Sequence, residues 1–184
     1  MNEHIVNYQA VIDFWFSELE PAAWFKKDIS LDKLIGDRFL ATYYAAGRCE
    51  LFGWRKTAQG RLAEIIVLDQ FSRNMFRDDP RAFQYDSLAV ALTQEAVAGN
   101  YDEQLTPEKK QFLYMPLMHS ESLTIHRQAE ALFAQPGLEN NYDFEIKHKA
   151  IIEQFGRYPH RNDILGRQST EQEVAFLKQP GSSF

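Results

Sequence analysis

The 184-residue chain holds a single cysteine, Cys49, which excludes an intramolecular disulfide and any cysteine-rich metal centre. Its setting, Gly47-Arg48-Cys49-Glu50, carries no nucleophile motif, and the residue reads as an ordinary thiol. No apolar run approaches the roughly 18 residues that span a bilayer. Met1-Asn2-Glu3-His4 lacks the basic-then-apolar layout of a secretory signal, so the expected location is the cytoplasm. Basic charge is in short supply as well. Twenty Lys and Arg against 26 Asp and Glu leave a net charge of −6, which speaks against general binding to nucleic acid or to an anionic membrane. A local basic pocket is compatible with that balance. β-branched residues never alternate over a stretch long enough for a strand. No G-x-S-x-G elbow occurs, and a serine-hydrolase reading fails with it. Imidazole and carboxylate from His119, Glu121, His148 and His160 would suit zinc or iron, but no helical H-x-x-x-H pair supports them and no metal site is expected.

What the chain has is aromatic bulk and helical periodicity. Phe, Tyr and Trp make up 14% of it, enough to fill a core between helices and to argue against disorder. The length fits one domain over residues 1–184. A first helix is expected from about Tyr8 to Leu19, closed by Pro21. Ser30 is read as the N-cap of a second, with Leu31, Leu34, Ile35, Phe39 and Tyr43 in register and Gly47 as its stop. A third runs from Thr57 or Gly60 to Phe76. Asp79-Pro80 signals a fourth, reaching Gly99, and Thr106-Pro107-Glu108 a fifth. Pro116 is expected to break that helix near Pro116-Leu117-Met118-His119. A sixth spans Ser122 to Phe133, a seventh Asn141 to Gly156. The last opens at Thr170-Glu171-Gln172-Glu173, which has capping-box spacing, and ends near Lys178. The expected fold is all-α: about eight helices packed as stacked hairpins or an irregular bundle. Helix starts are loosely compatible with a 34-residue repeat, but no signature residues recur.

Several polar residues fall on apolar faces. Asp69 follows Ile65 by four positions and Ile66 by three, and Arg73 stands one turn beyond it. A carboxylate facing a core must be paired, which makes Asp69, Gln70, Arg73 and Asn74 a candidate buried network. His148 shares a face with Phe144, Ile152 and Phe155. After Pro116, His119-Ser120-Glu121 either caps the next helix or brings a base, a hydroxyl and an acid to one place. His4 and His126 read as peripheral. The densest polar stretch is Phe155-Gly156-Arg157-Tyr158-Pro159-His160-Arg161-Asn162, where Gly156 and Pro159 place two guanidinium groups, an imidazole and a carboxamide on a loop. Such a loop could hold an anion or clamp helix ends.

These blocks carry a resemblance. Leu68-Asp69-Gln70-Phe71-Ser72-Arg73-Asn74-Met75-Phe76-Arg77, Pro116-Leu117-Met118-His119-Ser120-Glu121, and Phe155 to Asn162 with Ile164-Leu165-Gly166-Arg167 resemble, in order and spacing, the bacterial domain-of-unknown-function family 924. The family commonly has Pro where this chain has Ser72 and Phe where it has Tyr158. The resemblance implies a helical fold of the tetratricopeptide-like superfamily and no activity; peptide or protein binding in a concave groove follows from it by fold analogy alone.

Three functions compete. In a binding module, His119, Glu121, His148, Arg157, His160, Arg161 and Asn162 would meet around a small anionic or carboxylate-bearing ligand or a peptide, supported by Asp69, Gln70, Arg73, Asn74 and Ser120. In an enzyme, His119 or His160 would act as general acid–base with Glu121 as its orienter. In the third reading the motifs are a core network and the function is protein–protein interaction. No cofactor is indicated. Trp24, Phe25, Trp54 and Phe184 are candidate anchors for self-association.

Overall fold

The computed structural model describes residues 4–183; Met1 to Glu3, read above against a signal peptide, and the candidate anchor Phe184 lie outside the described residues. The fold is all-α, and among the described residues there is no strand. α1 (Tyr8–Asp13) leads through a π turn (Phe14–Glu18) and α2 spans Ile29–Gly47. α3 (Ala58–Ile66), a second π turn (Val67–Phe71) and α4 (Ser72–Met75) form one continuous rod. After it come α5 (Asp86–Ala98), α6 (Pro107–Met118), α7 (Leu123–Phe133), α8 (Glu139–Phe155) and α9 (Glu171–Leu177). With the rod taken as one, these are eight helices among the described residues. None is long and apolar enough to cross a membrane.

The rod is the centre of the molecule. Every residue from Leu62 to Ser72 is buried, as expected of a helix with neighbours on all sides. α1 packs on α3 and α2 on the second π turn and α4; from α5 onward each helix through α8 packs on the next, as successive hairpins do. The aromatic share of the sequence concentrates here. Phe14, Trp15, Phe39, Phe71 and Phe112 are fully buried or nearly so, with ring centroids 4.6–5.8 Å apart in mostly tilted or edge-on pairs. Truncating any of these to Ala would cost about 3–5 kcal/mol.

Local signals explain most helix ends. Thr57 accepts from Gly60 N at 3.0 Å, and Thr170 and Glu173 form a complete capping box. α8 ends at Gly156, whose φ of +69° is left-handed. At Gly47 a Cβ would lie 2.2 Å from the Tyr85 ring, so only glycine admits that ring against α2.

Three expectations need correction. Asp28, not Ser30, caps α2: its carboxylate accepts from Ser30 N and Leu31 N at 2.9 and 3.2 Å, and an anion suits a helix N-terminus. Asp79 does cap, but it opens a 3₁₀ turn (Pro80–Phe83), and α5 starts only at Asp86. Pro116, by contrast, acts where expected: it stands in the last turn of α6, and the helix ends two residues later at Met118 with His119 as its C-cap. Trp24 is no exposed anchor: it is buried and its indole donates to Trp15 O at 2.8 Å. Phe25, by contrast, is exposed.

Candidate functional site

The three sequence blocks converge where the C-terminal end of the central rod meets the end of α6 and the loop after α8. Asp69, fully buried, is the pivot. Its Oδ1 faces His119 Nδ1 at 2.7 Å and Arg73 Nη1 at 3.2 Å, and its Oδ2 accepts from Gln70 Nε2 at 2.6 Å. Burial alone would raise this carboxyl, but the charges and hydrogen bonds of Arg73, His119 and Gln70 hold it below the usual carboxylate range. An ionised Asp69 can only accept, so His119 carries its proton on Nδ1. Nε2 is then the lone-pair nitrogen and has no hydrogen-bond partner among the described residues. The His119 side chain is 16% exposed, and burial together with Arg73 pushes its pKa down.

Arg73 also forks onto Asp86 at the start of α5, at 3.0 and 2.9 Å. Asp86 in turn faces Arg161 Nη1 at 3.5 Å. Arg161 comes from the loop after α8, is only 6% exposed, and is sandwiched 4.6 Å from both the Phe83 and Tyr158 ring centroids. Its Nη2 donates to His119 O at 3.0 Å, while its buried Nε has no hydrogen-bond partner among the described residues. Burial and Arg73 lower its pKa.

Tyr158, fully buried, organises the other side. Its hydroxyl donates to Met118 O at 2.6 Å and lies 3.1 Å from His126 Nε2. His148 and His160 pack their rings on it at 5.8 and 5.5 Å. Burial holds His148 down to about 3 and His160 to about 4, so both are neutral at pH 7. His126 is not peripheral. It is fully buried, with Nε2 2.8 Å from Ser120 O and Nδ1 2.7 Å from Glu145 Oε1. Ser120 O only accepts and the Tyr158 hydrogen is used on Met118 O, so Nε2 must carry a hydrogen. Nδ1 and Glu145 therefore share one proton. Burial raises Glu145.

Of the residues expected to share a site, His119, Glu121, His148, His160 and Arg161 do come together. Glu121 accepts from Tyr158 N at 2.7 Å and takes the Arg167 fork at 2.6 and 2.8 Å, so it orients the loop rather than His119. The orienting carboxylate of His119 is Asp69. Arg157 points elsewhere, forking onto Glu173 of α9 at 2.6 and 2.8 Å. Asn162 braces the loop from within, donating to Ser169 Oγ and accepting from Arg167 Nε. Asn74 donates to Asp32 on α2, away from the centre. Both departures from the resembled family's pattern add a hydroxyl that finds a partner here: Ser72 Oγ donates to Asp69 O, and Tyr158 to Met118 O. Glu145 and His148 stand at E-x-x-H spacing on α8, but their partners differ, and among the described residues no three such side chains gather as a metal site would need. Sequence reasoning missed Asp86, His126, Glu145 and the role of Arg167. Only Arg167 lay within a quoted motif.

Comparison with known proteins supports the fold and the family. A solved structure described as that of a protein of unknown function, ATU0120, from Agrobacterium tumefaciens is similar at 34% identity and a TM-score of 0.85, covering 93% of this chain and 96% of that one. Among curated proteins none matches. The family described as "Bacterial protein of unknown function (DUF924)" matches residues 11–181, and the chain belongs to it.

Proposed function

We propose that the chain is a helical binding module for a small molecule or peptide end bearing a carboxylate, held between Arg161 and His119. The observation that carries this reading is the condition of Arg161. Arg73, Arg157 and Arg167 each commit a fork to a carboxylate. Arg161, more deeply buried than any of them, makes one hydrogen bond and one longer ion pair, with its Nε unused. Leaving buried donors of a cation unpaired is costly, and a ligand carboxylate would relieve that cost. His119 is the adjoining exposed edge. Once protonated, it donates from Nε2 to the ligand while Nδ1 stays on Asp69. Binding then takes up a proton, and affinity rises as pH falls. The negative net charge makes nucleic acid a poor ligand.

The test is a thermal-shift series with acetate, succinate, glutamate and citrate on wild type and Arg161→Lys. A ligand at a hundred times its Kd stabilises by about 2.7 kcal/mol. Loss of the shift in Arg161→Lys supports the reading, since an ammonium cannot reproduce the guanidinium donors. No shift in the wild type, or one that persists in the variant, rejects it.

The Asp69–His119 pair favours a second reading, general acid–base catalysis, because a buried carboxylate that fixes the tautomer of a partly exposed imidazole is what a catalytic base requires. His119→Gln separates the two: binding without a base survives in weakened form, whereas turnover of a bound substrate stops.

A further inference from the structure

Periodicity along α8 puts Phe144 on the face of His148, Ile152 and Phe155, yet Phe144 is 50% exposed. It borders a groove of about 600 Å³ between α8, α9 and the turn at residues 180–183. Ile151 and Phe176 give the groove apolar walls, and Ala150 and Gln154 line it between them. Among the described residues Lys147 is the one charged group in the lining. Its ammonium sits 5.1 Å from the Phe144 ring centroid and, among the described residues, has no acidic partner, whereas Lys149, two positions on, is paired with Glu130 and Glu153.

We propose that this groove binds a medium-chain carboxylate, with the acyl chain along Ile151 and Phe176 and the carboxylate at Lys147. The volume falls in the range of small-molecule sites, about 300–1,000 Å³. One unpaired cation at an otherwise uncharged, largely apolar groove selects an amphipathic monoanion. An uncharged chain would leave the ammonium unused, and a second charge on the ligand would have to lie against Ile151 and Phe176, where nothing compensates it. The Phe144 ring already holds the ammonium near the groove by a cation–π contact, so little ordering remains when a carboxylate arrives. The groove shares no residue with the His119–Arg161 site, and the proposal stands independently of the function proposed there.

The experiment is a nuclear magnetic resonance titration of the full chain with octanoate, using 1-octanol as the uncharged control. Saturable amide shifts confined to residues 144–154 and 174–183, with octanoate binding more tightly than octanol, support the site. Lys147→Ala should weaken octanoate by up to about fivefold, the scale of an exposed ion pair, and leave octanol unchanged. Ala150→Trp, at an exposed helix position on the groove wall, should abolish binding of both while the helical circular dichroism is retained. Absence of saturable shifts, shifts centred elsewhere, octanol binding as tightly as octanoate, or undiminished octanoate binding to a folded Ala150→Trp would each overturn the proposal.

Discussion

His119 Nδ1 lies 2.7 Å from Asp69 Oδ1, although fifty positions separate the two residues along the chain. The contact joins the central rod to the end of α6 and fixes which imidazole nitrogen is presented outward. It also makes Asp69 the point at which stability and the candidate site meet, because the same carboxylate offsets Arg73.

Asp69→Ala is therefore expected to destabilise the protein by about 3 kcal/mol, the lower end of the range for breaking a buried pair. The lower end applies because Asp86 still engages Arg73. Urea denaturation at pH 7 measures this. A change below about 1 kcal/mol would contradict the buried geometry, since only exposed pairs contribute so little.

Acid should weaken the fold well before carboxylates titrate. Burial lowers the pKa of His148 to about 3 and of His160 to about 4, against an unfolded value near 6.5. Below pH 6.5 the unfolded chain binds protons that the folded one refuses, so stability is full above that pH and falls as pH drops toward 4. At pH 5 each histidine accounts for about 2 kcal/mol. Denaturation at pH 7, 6 and 5 gives the slope, and His148→Gln should reduce it. A flat profile between pH 7 and 5 would show that the histidines are solvated.

Arg157→Ala should loosen α9 and little else. Its fork holds Glu173, and its Nη2 also reaches Gln168 O at 2.9 Å. The Arg157 side chain is 29% exposed and solvent screens the pair from that side, so it contributes about 1 kcal/mol. Hydrogen exchange should quicken in residues 171–177 while the amides of the central rod stay protected. Equal acceleration in both would show that α9 is part of the global folding unit.

How much of this was legible in the sequence depended on distance along the chain. Thr57, Thr106-Pro107, Thr170 with Glu173, and Gly156 act on backbone within one turn, and each marked its helix end correctly. Asp69 was legible because its neighbours Ile65 and Ile66 fixed its face. Full burial of the rod was not, since a π turn widens the helix at Val67–Phe71 and neighbours close on every side. Phe144 misled because it shares a period with buried residues but lies near the start of α8, half-exposed beside the α8–α9 groove. Asp69 as a partner of Arg73 was legible at i,i+4 spacing, but the second partner of Arg73 and the partner of His126 could not be read at all. Asp86 and Glu145 lie 13 and 19 positions away on other helices, and no local rule links them. Arg157 and Arg161 look equivalent in sequence, yet four positions on a turning loop send one to α9 and the other to His119.

The protonation argued for His126 and Glu145 leads to the sharpest mutational contrast. Both side chains are fully buried, Nε2 must donate, and one proton lies between Nδ1 and Oε1. Among the described residues Glu145 Oε2 has no hydrogen-bond partner, which disfavours a full charge on the carboxylate and favours the neutral acid donating to a neutral imidazole. A glutamine in its place presents an N–H to Nδ1 with the same shape and no charge. Glu145→Gln should thus change stability by less than about 1 kcal/mol, the scale of one neutral hydrogen bond. His126→Ala removes the ring, strands the Glu145 hydroxyl and opens a cavity beside Tyr158, and should cost about 3 kcal/mol or more. Chemical denaturation of the two variants at pH 7 decides the matter: if Glu145→Gln is as damaging as His126→Ala, the pair is ionised.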